Sequence, residues 1–358
     1  MPASLRPIAR STIRKFAYVM LGGIGLTLSQ FRRSDAPPTP ARILIVRVDL
    51  LGDVLLSTAA VTTLRETYPD AHISMMTLPY AAPLAQLCRQ LDEVIPVDTN
   101  RIRTVPGLFD PSTWREYWRA YRLVRLRRFD LALSLSGRMG SLLAFLSGAR
   151  RSIGYRSEAY PGLLTDPVEG GRYGERIPEV EYVLRLARAA GATGEVDHLS
   201  LPVPEDARQA VQRLLEANGV DAGRPMVVIH AGSINGSAKR WPAGNWSLFA
   251  REMEMRAGAS VVLVGAASDA AIAEEVARGA LKAVNLVGHT TIDELIALLA
   301  HANLVATGDS GPLHLAVALG VPLLAVYGPT DPRVHGPYRP VGPVRLHRRD
   351  LPCSPCYT

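Results

Sequence analysis

Two stretches of the chain alternate continuous apolar runs with segments whose apolar residues recur at helical spacing. A continuous apolar run such as Ile43–Val46 is typical of a strand that is covered on both faces, and strands of that kind occur in parallel sheets. The first stretch predicts strands at Ile43–Val46, His72–Thr77, Val94–Ile95 and Leu131–Leu135, with helices at Val54–Tyr68, Thr113–Arg128 and Ser141–Leu146. This alternation indicates an α/β protein with a parallel sheet.

The alternation breaks at Gly191–Pro204, which is rich in Gly, Pro and polar residues, and then restarts. The second stretch predicts strands at Met226–His230, Ser260–Val264, Asn285–Val287, Leu304–Thr307 and Pro322–Tyr327, with helices at Glu205–Asn218, Trp246–Ala257, Ala270–Ala280, Ile292–Ala302 and Pro312–Leu319. We therefore predict two doubly wound domains, at 41–200 and 201–358. A cleft between two such domains is the favoured place for a ligand.

The first 40 residues differ in composition from the rest of the chain. They hold six basic residues against one acidic residue, a net +5 of the chain's +7, so the other 318 residues carry only +2. So small a charge on the folded body argues against a nucleic-acid partner. Within 1–40, the 16 mostly apolar residues Phe16–Phe31 lie between basic pairs, and the Pro-rich 35–40 is typical of an extended linker.

The segment Phe16–Phe31 is short for a membrane-spanning helix, which needs about 20 apolar residues. Its basic flanks favour a peripheral anchor, in which residues 1–33 hold a cytoplasmic protein on the inner face of the cytoplasmic membrane. The alternatives are a helix packed on the body and a disordered tail.

Cysteine usage and carboxylate spacing bear on metals and cofactors. The three Cys exclude a disulfide-stapled fold and suit a reducing compartment. Two thiolates, at Cys353 and Cys356, cannot complete a tetrahedral zinc site. No cluster of carboxylates suggests a metal site either, so we expect neither a metal nor another cofactor.

The segment Val48–Asp53 directly follows the first predicted strand, at the edge of the sheet where parallel α/β proteins bind their ligands. Gly52 allows a tight turn there, and Asp53 falls at the N-terminus of the next helix, where the helix dipole favours a carboxylate. Asp53 is therefore a candidate general base. The alternative is that Asp53 only caps the helix.

A loop rich in Gly and Ser, His230–Pro242, follows the predicted strand Met226–His230 and contains Lys239 and Arg240 near its end. Backbone N–H groups and hydroxyls in such a loop bind anions, and a Lys adds a positive charge. The alternative is a flexible surface loop with a stray basic pair.

A second anion-binding feature is predicted at the start of the helix Pro312–Leu319. Pro suits the first turn of a helix, so Ser310 and Gly311 would present N–H groups and a hydroxyl at its positive end, which is a phosphate site. Asp309 would either cap the helix or accept a hydrogen bond from a sugar hydroxyl. His314 would either face the cleft or pack as a structural residue.

Aromatic residues recur at helical spacing in the predicted helix Thr113–Arg128, with arginines at neighbouring positions. The apolar stripe consists of Trp114, Tyr117, Trp118, Tyr121 and Val124, and the arginines are Arg115, Arg119, Arg122 and Arg125. We favour core packing with a solvated arginine face. The alternative is a patch for an anionic acceptor or a membrane surface.

Four motifs, in this order along the chain, resemble glycosyltransferase family 9, the lipopolysaccharide heptosyltransferases. They are Ile43–Asp53, His230–Pro242, Thr307–Ala316 and Val326–Pro332. The resemblance implies two Rossmann-like domains in the GT-B arrangement. It also implies an inverting, metal-independent transfer of a sugar, usually heptose, from a nucleotide diphosphate donor such as ADP-heptose to a lipopolysaccharide-core or related glycan acceptor.

The resemblance further implies roles for individual residues. Asp53 matches the family's proposed catalytic base, and Lys239 matches its ligand for the donor diphosphate. We place Ser233, Lys239, Arg240, Thr290, Asp309, Ser310, Gly311 and His314 on the donor side, and Gly52, Arg138, Arg115 and Arg119 on the acceptor side. The segment Ser134–Gly137 departs from the acidic residue and Gln that many members have there, which affects the identity of the acceptor.

Two other functions fit the same architecture. A nucleotide-sugar epimerase or hydrolase would act without an acceptor, and a non-catalytic module would only bind a sugar nucleotide. The presence of both Asp53 and Lys239 argues against the non-catalytic module.

Overall fold

The computed structural model describes residues 37–101, 110–171, 175–233, 237–349, 352 and 354–356. The predicted anchor at residues 1–33 lies outside the described residues. Within the ranges that are described, no helix is both long and apolar enough to cross a membrane. Contacts divide the chain into two units, and the boundary between them lies between Glu195 and Val196. The sequence analysis puts this boundary at residue 200. The segment Leu50–Leu56 groups with the second unit.

The first unit is built on one parallel six-stranded sheet. Its strands are β1 (Arg42–Arg47), β2 (His72–Thr77), β3 (Glu93–Pro96), β4 (Leu131–Ser134), β5 (Arg151–Tyr155) and β6 (Asp166–Val168), and they lie in the order β3-β2-β1-β4-β5-β6. Its helices are α1 (Leu51–Thr67), α2 (Ala82–Gln86), α3 (Pro111–Leu126), α4 (Gly137–Ser147) and α5 (Glu179–Ala189). β1 is central because its apolar run is covered on both faces, with Ile43 paired to Ile73 and Leu131.

The second unit repeats this plan. Its strands are β7 (Met226–His230), β8 (Ser260–Leu263), β9 (Val284–Asn285), β10 (Leu304–Gly308), β11 (Leu323–Tyr327) and β12 (Val344–Arg348), in the order β9-β8-β7-β10-β11-β12. Its helices are α6 (Glu205–Ala217), α7 (Ala243–Arg256), α8 (Ala270–Gly279), α9 (Ile292–His301), α10 (Gly311–Ala318) and α11 (Pro332–His335). Both sheets therefore have the 3-2-1-4-5-6 order of doubly wound proteins, which confirms the predicted α/β class.

Every strand that the sequence analysis predicts is present, with bounds that match to within one or two residues at each end. The sequence analysis does not predict β5, β6 or β12, and it places a strand at Asn285–Val287 where β9 ends at Asn285. β12 is an edge strand with exposed residues along much of its length, so it lacks the apolar signal of a covered strand.

The end of β1 carries a buried ion pair. Arg47 is fully buried, and its guanidinium lies 2.7 Å from the Glu179 carboxylate at the start of α5. The guanidinium also donates to the Leu135 carbonyl. Loss of either partner would leave an unpaired buried charge, which is strongly destabilising. The pair therefore stabilises the packing of the start of α5 against the carboxyl edge of the first sheet.

Candidate functional site

The start of α10 lies at the carboxyl edge of the second sheet. β10 ends at Gly308, Ser310 is the N-cap residue, and Pro312 lies in the first turn of the helix. The Ser310 hydroxyl is hydrogen-bonded to the Thr307 hydroxyl at 2.8 Å. The predicted helix N-terminus is therefore present in the fold. Pro312 has no N–H and the Leu313 N–H donates to the Ser310 carbonyl, so the N–H groups of Ser310 and Gly311 remain the candidates to bind an anion.

Lys239 and Asp309, both predicted for the donor side, are paired with each other. The Lys239 ammonium lies 2.6 Å from a carboxylate oxygen of Asp309, which is almost fully buried. Asp309 does not cap α10, since Ser310 takes that position and the Asp309 side chain turns to Lys239 instead. The ion pair therefore holds a cation beside the residues that open α10.

A buried His–Asp pair, which the sequence analysis does not identify, lies behind Ser310. His230, at the end of β7, is hydrogen-bonded through Nδ1 to the Ser310 hydroxyl at 3.1 Å, and its Nε2 lies 3.6 Å from the Asp269 carboxylate. The hydrogen bond from His230 lowers the pKa of the Asp269 carboxyl, although burial alone would raise it. This chain of contacts fixes the Ser310 hydroxyl. A sequence signal existed, because His230 ends a predicted strand and Asp269 directly precedes the predicted helix Ala270–Ala280.

Arg240 closes the loop after β7. Its guanidinium donates to the Ser233 carbonyl at 3.0 Å and lies 3.9 Å from the Asp269 carboxylate. Residues 234–236 of this loop lie outside the described part of the chain. Arg240 and the buried Ser233 thus meet each other and support the ends of the loop. Thr290 is half-buried and directly precedes Thr291, the N-cap of α9.

The first turn of α1 belongs to the second unit and contacts α10. Asp53 is the third residue of α1, and its carboxylate accepts a hydrogen bond from the Leu50 N–H at 3.3 Å. Gly52 lies inside the helix rather than in a tight turn; a Cβ there would stand 2.8 Å from the His314 ring. Gly52 is therefore needed for a close approach to α10, which is a different reason from the predicted one.

His314 is buried in this contact region. Burial lowers the pKa of its imidazole, and the nearby carboxylates of Asp309 and Asp53 oppose that shift. The structure thus brings His314 together with Gly52. It is packed, as the structural alternative expects.

A polar network supports the loop that leads to Asp53. Ser136 donates to the Asp49 carboxylate at 2.7 Å and accepts from the Val48 N–H at 2.8 Å. The Arg47 guanidinium lies 3.6 Å from the same carboxylate. Ser136, which departs from the family pattern, therefore ties the loop after β1 to the end of β4.

The predicted acceptor-side arginines lie on exposed surfaces of the first unit. Arg115 and Arg119 are exposed on α3, and Arg138 is exposed in the first turn of α4. Core packing of the whole aromatic stripe on α3 is wrong. Val124 is buried, but Trp114 and Trp118 are 53% and 62% exposed.

Side chains that could ligate a metal are dispersed. Among the described residues, no group of three or more His, Cys, Asp or Glu could hold a metal ion. Cys88 is half-buried and burial raises the pKa of its thiol, while Cys356 is exposed. Cys353 lies outside the described residues, so the predicted pair of Cys cannot be placed.

Residues 117–357 match the family described as Glycosyltransferase family 9 (heptosyltransferase). The chain is 29% identical over 303 residues to lipopolysaccharide heptosyltransferase 2 of Escherichia coli, covering 81% of this chain and 84% of that protein. It is 26% identical over 322 residues to lipopolysaccharide heptosyltransferase 1 of Pseudomonas aeruginosa, covering 88% and 86% of the two chains.

Two solved structures share the fold. A family 9 glycosyltransferase from Veillonella parvula superposes with a TM-score of 0.73 at 24% identity, covering 87% of this chain and 88% of that one. The E. coli ADP-heptose lps heptosyltransferase II superposes with a TM-score of 0.70 at 26% identity, covering 87% and 92%. Both likenesses extend over both units.

Proposed function

This chain belongs to glycosyltransferase family 9, and on that premise we propose that it transfers a heptose from a nucleotide diphosphate heptose, such as ADP-heptose, to a lipopolysaccharide-core or related glycan acceptor. The observation that carries the proposal is the cluster at the start of α10, where Lys239 pairs with Asp309, the residue directly before Ser310 and Gly311. The names of the relatives supply the heptose and the acceptor class.

The donor diphosphate would bind at the positive end of α10. Two negatively charged phosphates suit the N–H groups of Ser310 and Gly311 at the positive end of the helix, and the Lys239 ammonium on its flexible side chain adds a cation. On binding, Lys239 would exchange part of its contact with Asp309 for phosphate oxygens, while Asp309 would accept from sugar hydroxyls. The contact from His230 would keep the Ser310 hydroxyl oriented.

Asp53 would act as the general base. The acceptor hydroxyl attacks the anomeric carbon of the heptose, its proton passes to the Asp53 carboxylate, and the bond from the anomeric carbon to the diphosphate oxygen breaks. A single displacement of this kind inverts the anomeric configuration. The position of Asp53 in the first turn of α1, in the unit that also contains α10, supports this assignment.

The leaving diphosphate would be stabilised without a metal. Its growing charge meets the Lys239 ammonium, which has turned to the phosphates on donor binding, and the dipole of α10, which is fixed before the reaction begins. We therefore expect activity to persist in EDTA.

The protein would act at the inner face of the cytoplasmic membrane, held there by residues 1–33. The support is the net +5 within the first 40 residues, around the apolar segment Phe16–Phe31. A lipid-linked acceptor would be met at that surface.

The test is a transfer assay with the full chain, ADP-heptose and a heptose-accepting core glycan, followed by mass spectrometry. We expect one heptose added to the acceptor for each ADP released. Asp53→Asn should lower turnover by about 10²–10⁴-fold with donor affinity little changed, because it removes the base and keeps the shape of the side chain. Asp70→Asn, an exposed carboxylate just beyond the other end of α1, is the matched control.

Three results would contradict the proposal. Release of ADP or change of the sugar without acceptor would favour the epimerase or hydrolase. Near-normal turnover in Asp53→Asn would remove the assigned base. Loss of activity in EDTA would overturn the metal-free mechanism.

A further inference from the structure

An apolar groove runs between α3 and α4 in the first unit. It encloses about 460 Å³, within the range of sites that bind small apolar ligands. Its walls include Trp114, Tyr117, Trp118 and Tyr121 from α3 and Leu142 and Leu146 from α4, and none of its described lining residues is charged. The groove therefore suits hydrocarbon rather than a sugar or a nucleotide.

The aromatic wall of the groove extends into solvent. Trp118 and Tyr121 stack with ring centroids 5.2 Å apart, yet more than half of the Trp114 and Trp118 surfaces stays exposed. Large apolar patches of this kind on a protein surface mark contacts with a protein or a membrane. Trp in particular favours the boundary between hydrocarbon and lipid headgroups.

The same face of α3 is strongly basic. Arg115 and Arg122 lie three residues before and four residues after Trp118, so they flank it on the helix surface. No ion pair between described residues includes Arg115, Arg119 or Arg122. The one acidic residue within α3, Glu116, is paired with Arg101. The rim of the groove thus carries positive charge that is not neutralised by an ion pair.

We propose that this face of α3 and α4 docks on an anionic phospholipid bilayer, with an acyl chain in the groove and the arginines on lipid phosphates. Apolar walls match the acyl chain, and the unpaired arginines match the anionic headgroups. The inference rests on the proposed function only in that a lipid-linked acceptor places the enzyme at a membrane. It adds a contact within the folded body to the one expected from residues 1–33.

Tryptophan fluorescence separates these two contacts. The chain has four Trp, at 114, 118, 241 and 246, and none lies in the first 40 residues. Trp246 is buried in the core of the second unit, next to Trp241. Quenching by a lipid with brominated acyl chains therefore reports on α3 and does not report on the tail.

The experiment mixes the full chain with vesicles of phosphatidylcholine and phosphatidylglycerol that carry brominated acyl chains. We expect quenching of Trp fluorescence that is lost in the double variant Trp114→Phe/Trp118→Phe. The double variant Arg115→Gln/Arg122→Gln should weaken partitioning by about 10–30-fold, since each arginine near an anionic surface adds a favourable term. Circular dichroism checks that each variant is folded.

The matched control is Leu248→Ser/Arg251→Gln, which removes one exposed apolar residue and one exposed arginine from α7 in the second unit. It should leave partitioning and quenching unchanged. Equal quenching with pure phosphatidylcholine would overturn the role of the arginines. Pelleting without any quenching would overturn the proposal, because it would show that the tail binds lipid while the groove is covered, for example by Phe16–Phe31.

The assay contains neither donor nor acceptor. A negative result for lipid contact therefore does not affect the proposed transferase activity. A negative result for heptose transfer likewise does not prevent the measurement of lipid contact.

Discussion

α3 and α9 occupy equivalent positions in their two units. α3 connects β3 to β4, and α9 connects β9 to β10, the corresponding third and fourth strands in chain order. Their surfaces differ sharply. α9 buries five consecutive residues, Leu295–Leu299, and packs against α6 and α10. α3, although longer, buries only Thr113 and Val124.

The difference shows that the position of a helix in the fold does not determine whether its outer face is buried or exposed. α9 is covered on both sides and contributes to the core. α3 packs on one side only, through the buried Val124 and a hydrogen bond from the Tyr117 hydroxyl to the Asp98 carbonyl. Aromatic residues on its other side stay exposed to solvent. An exposed aromatic face on a well-placed helix is available for binding rather than for stability.

The largest test of this comparison is a matched pair of truncations. Leu298→Ala on α9 should lower the free energy of unfolding by about 2–5 kcal/mol, because the side chain is fully buried and leaves a cavity. Leu126→Ala on α3 should change it by about 0.5 kcal/mol or less, because Leu126 is 75% exposed. Urea unfolding measures both. Equal losses would mean that the outer face of α3 is covered in solution.

The second test asks whether donor binding belongs to the second unit. Lys239→Ala should weaken ADP binding by about 10–100-fold, as a charge-assisted hydrogen bond is lost, and added Mg²⁺ should not restore it. Calorimetric titration measures the affinity, and Lys282→Ala, an exposed Lys of the same unit, is the control. Unchanged ADP affinity in Lys239→Ala would show that Lys239 does not bind the donor diphosphate.

The third test uses pH on the buried contact between α1 and α10. Burial lowers the pKa of His314 below its usual 6.5, so the unfolded chain binds the proton more readily than the folded one. The free energy of unfolding should be highest above about pH 6.5 and fall below it, by at most about 1.4 kcal/mol per pH unit from this group. Comparing the slope in His314→Gln with that of the unchanged chain isolates the effect. An identical slope in both would show that His314 is solvated.

The smallest effect is expected at the end of α3. Arg127 forms a two-pronged contact with Glu93 on β3, which lowers the pKa of the Glu93 carboxyl, chiefly through the hydrogen bond. Arg127→Gln should cost about 0.5–1 kcal/mol, and the difference from the unchanged chain should vanish as the pH falls through the lowered pKa of Glu93. Arg122→Gln on the open face should have no measurable effect on stability. Thermal unfolding across pH compares the two.

The sequence was sufficient for the sheets because their central strands are continuous apolar runs, as at Ile43–Val46 and Met226–His230. It was also sufficient for the start of α10, where Ser310 and Pro312 mark a helix N-terminus directly after a strand. Weakly apolar edge strands such as β12 lack that signal, since half-exposed strands carry fewer apolar residues.

The contacts that could not be predicted join residues on different strands. His230 and Asp269 meet only because β7 and β8 are neighbours, and Lys239 reaches Asp309 from the loop after β7. Helical periodicity at α3 identified an apolar stripe correctly but could not tell that only part of it would be covered. Periodicity reports which residues share a face, and only the packing of neighbours decides which face is buried.

The pairing of Arg47 with Glu179 has a consequence for how the first unit folds while the chain is being synthesised. Arg47 ends the central strand of the first sheet, yet its carboxylate partner follows 132 residues later. At about 5–20 residues per second, a ribosome needs on the order of ten seconds to add that length. During this interval the Asp49 carboxylate, two residues after Arg47, is already present, but the closer carboxylate of Glu179 is not. The end of β1 therefore reaches its final ion pairing only after α5 has left the ribosome.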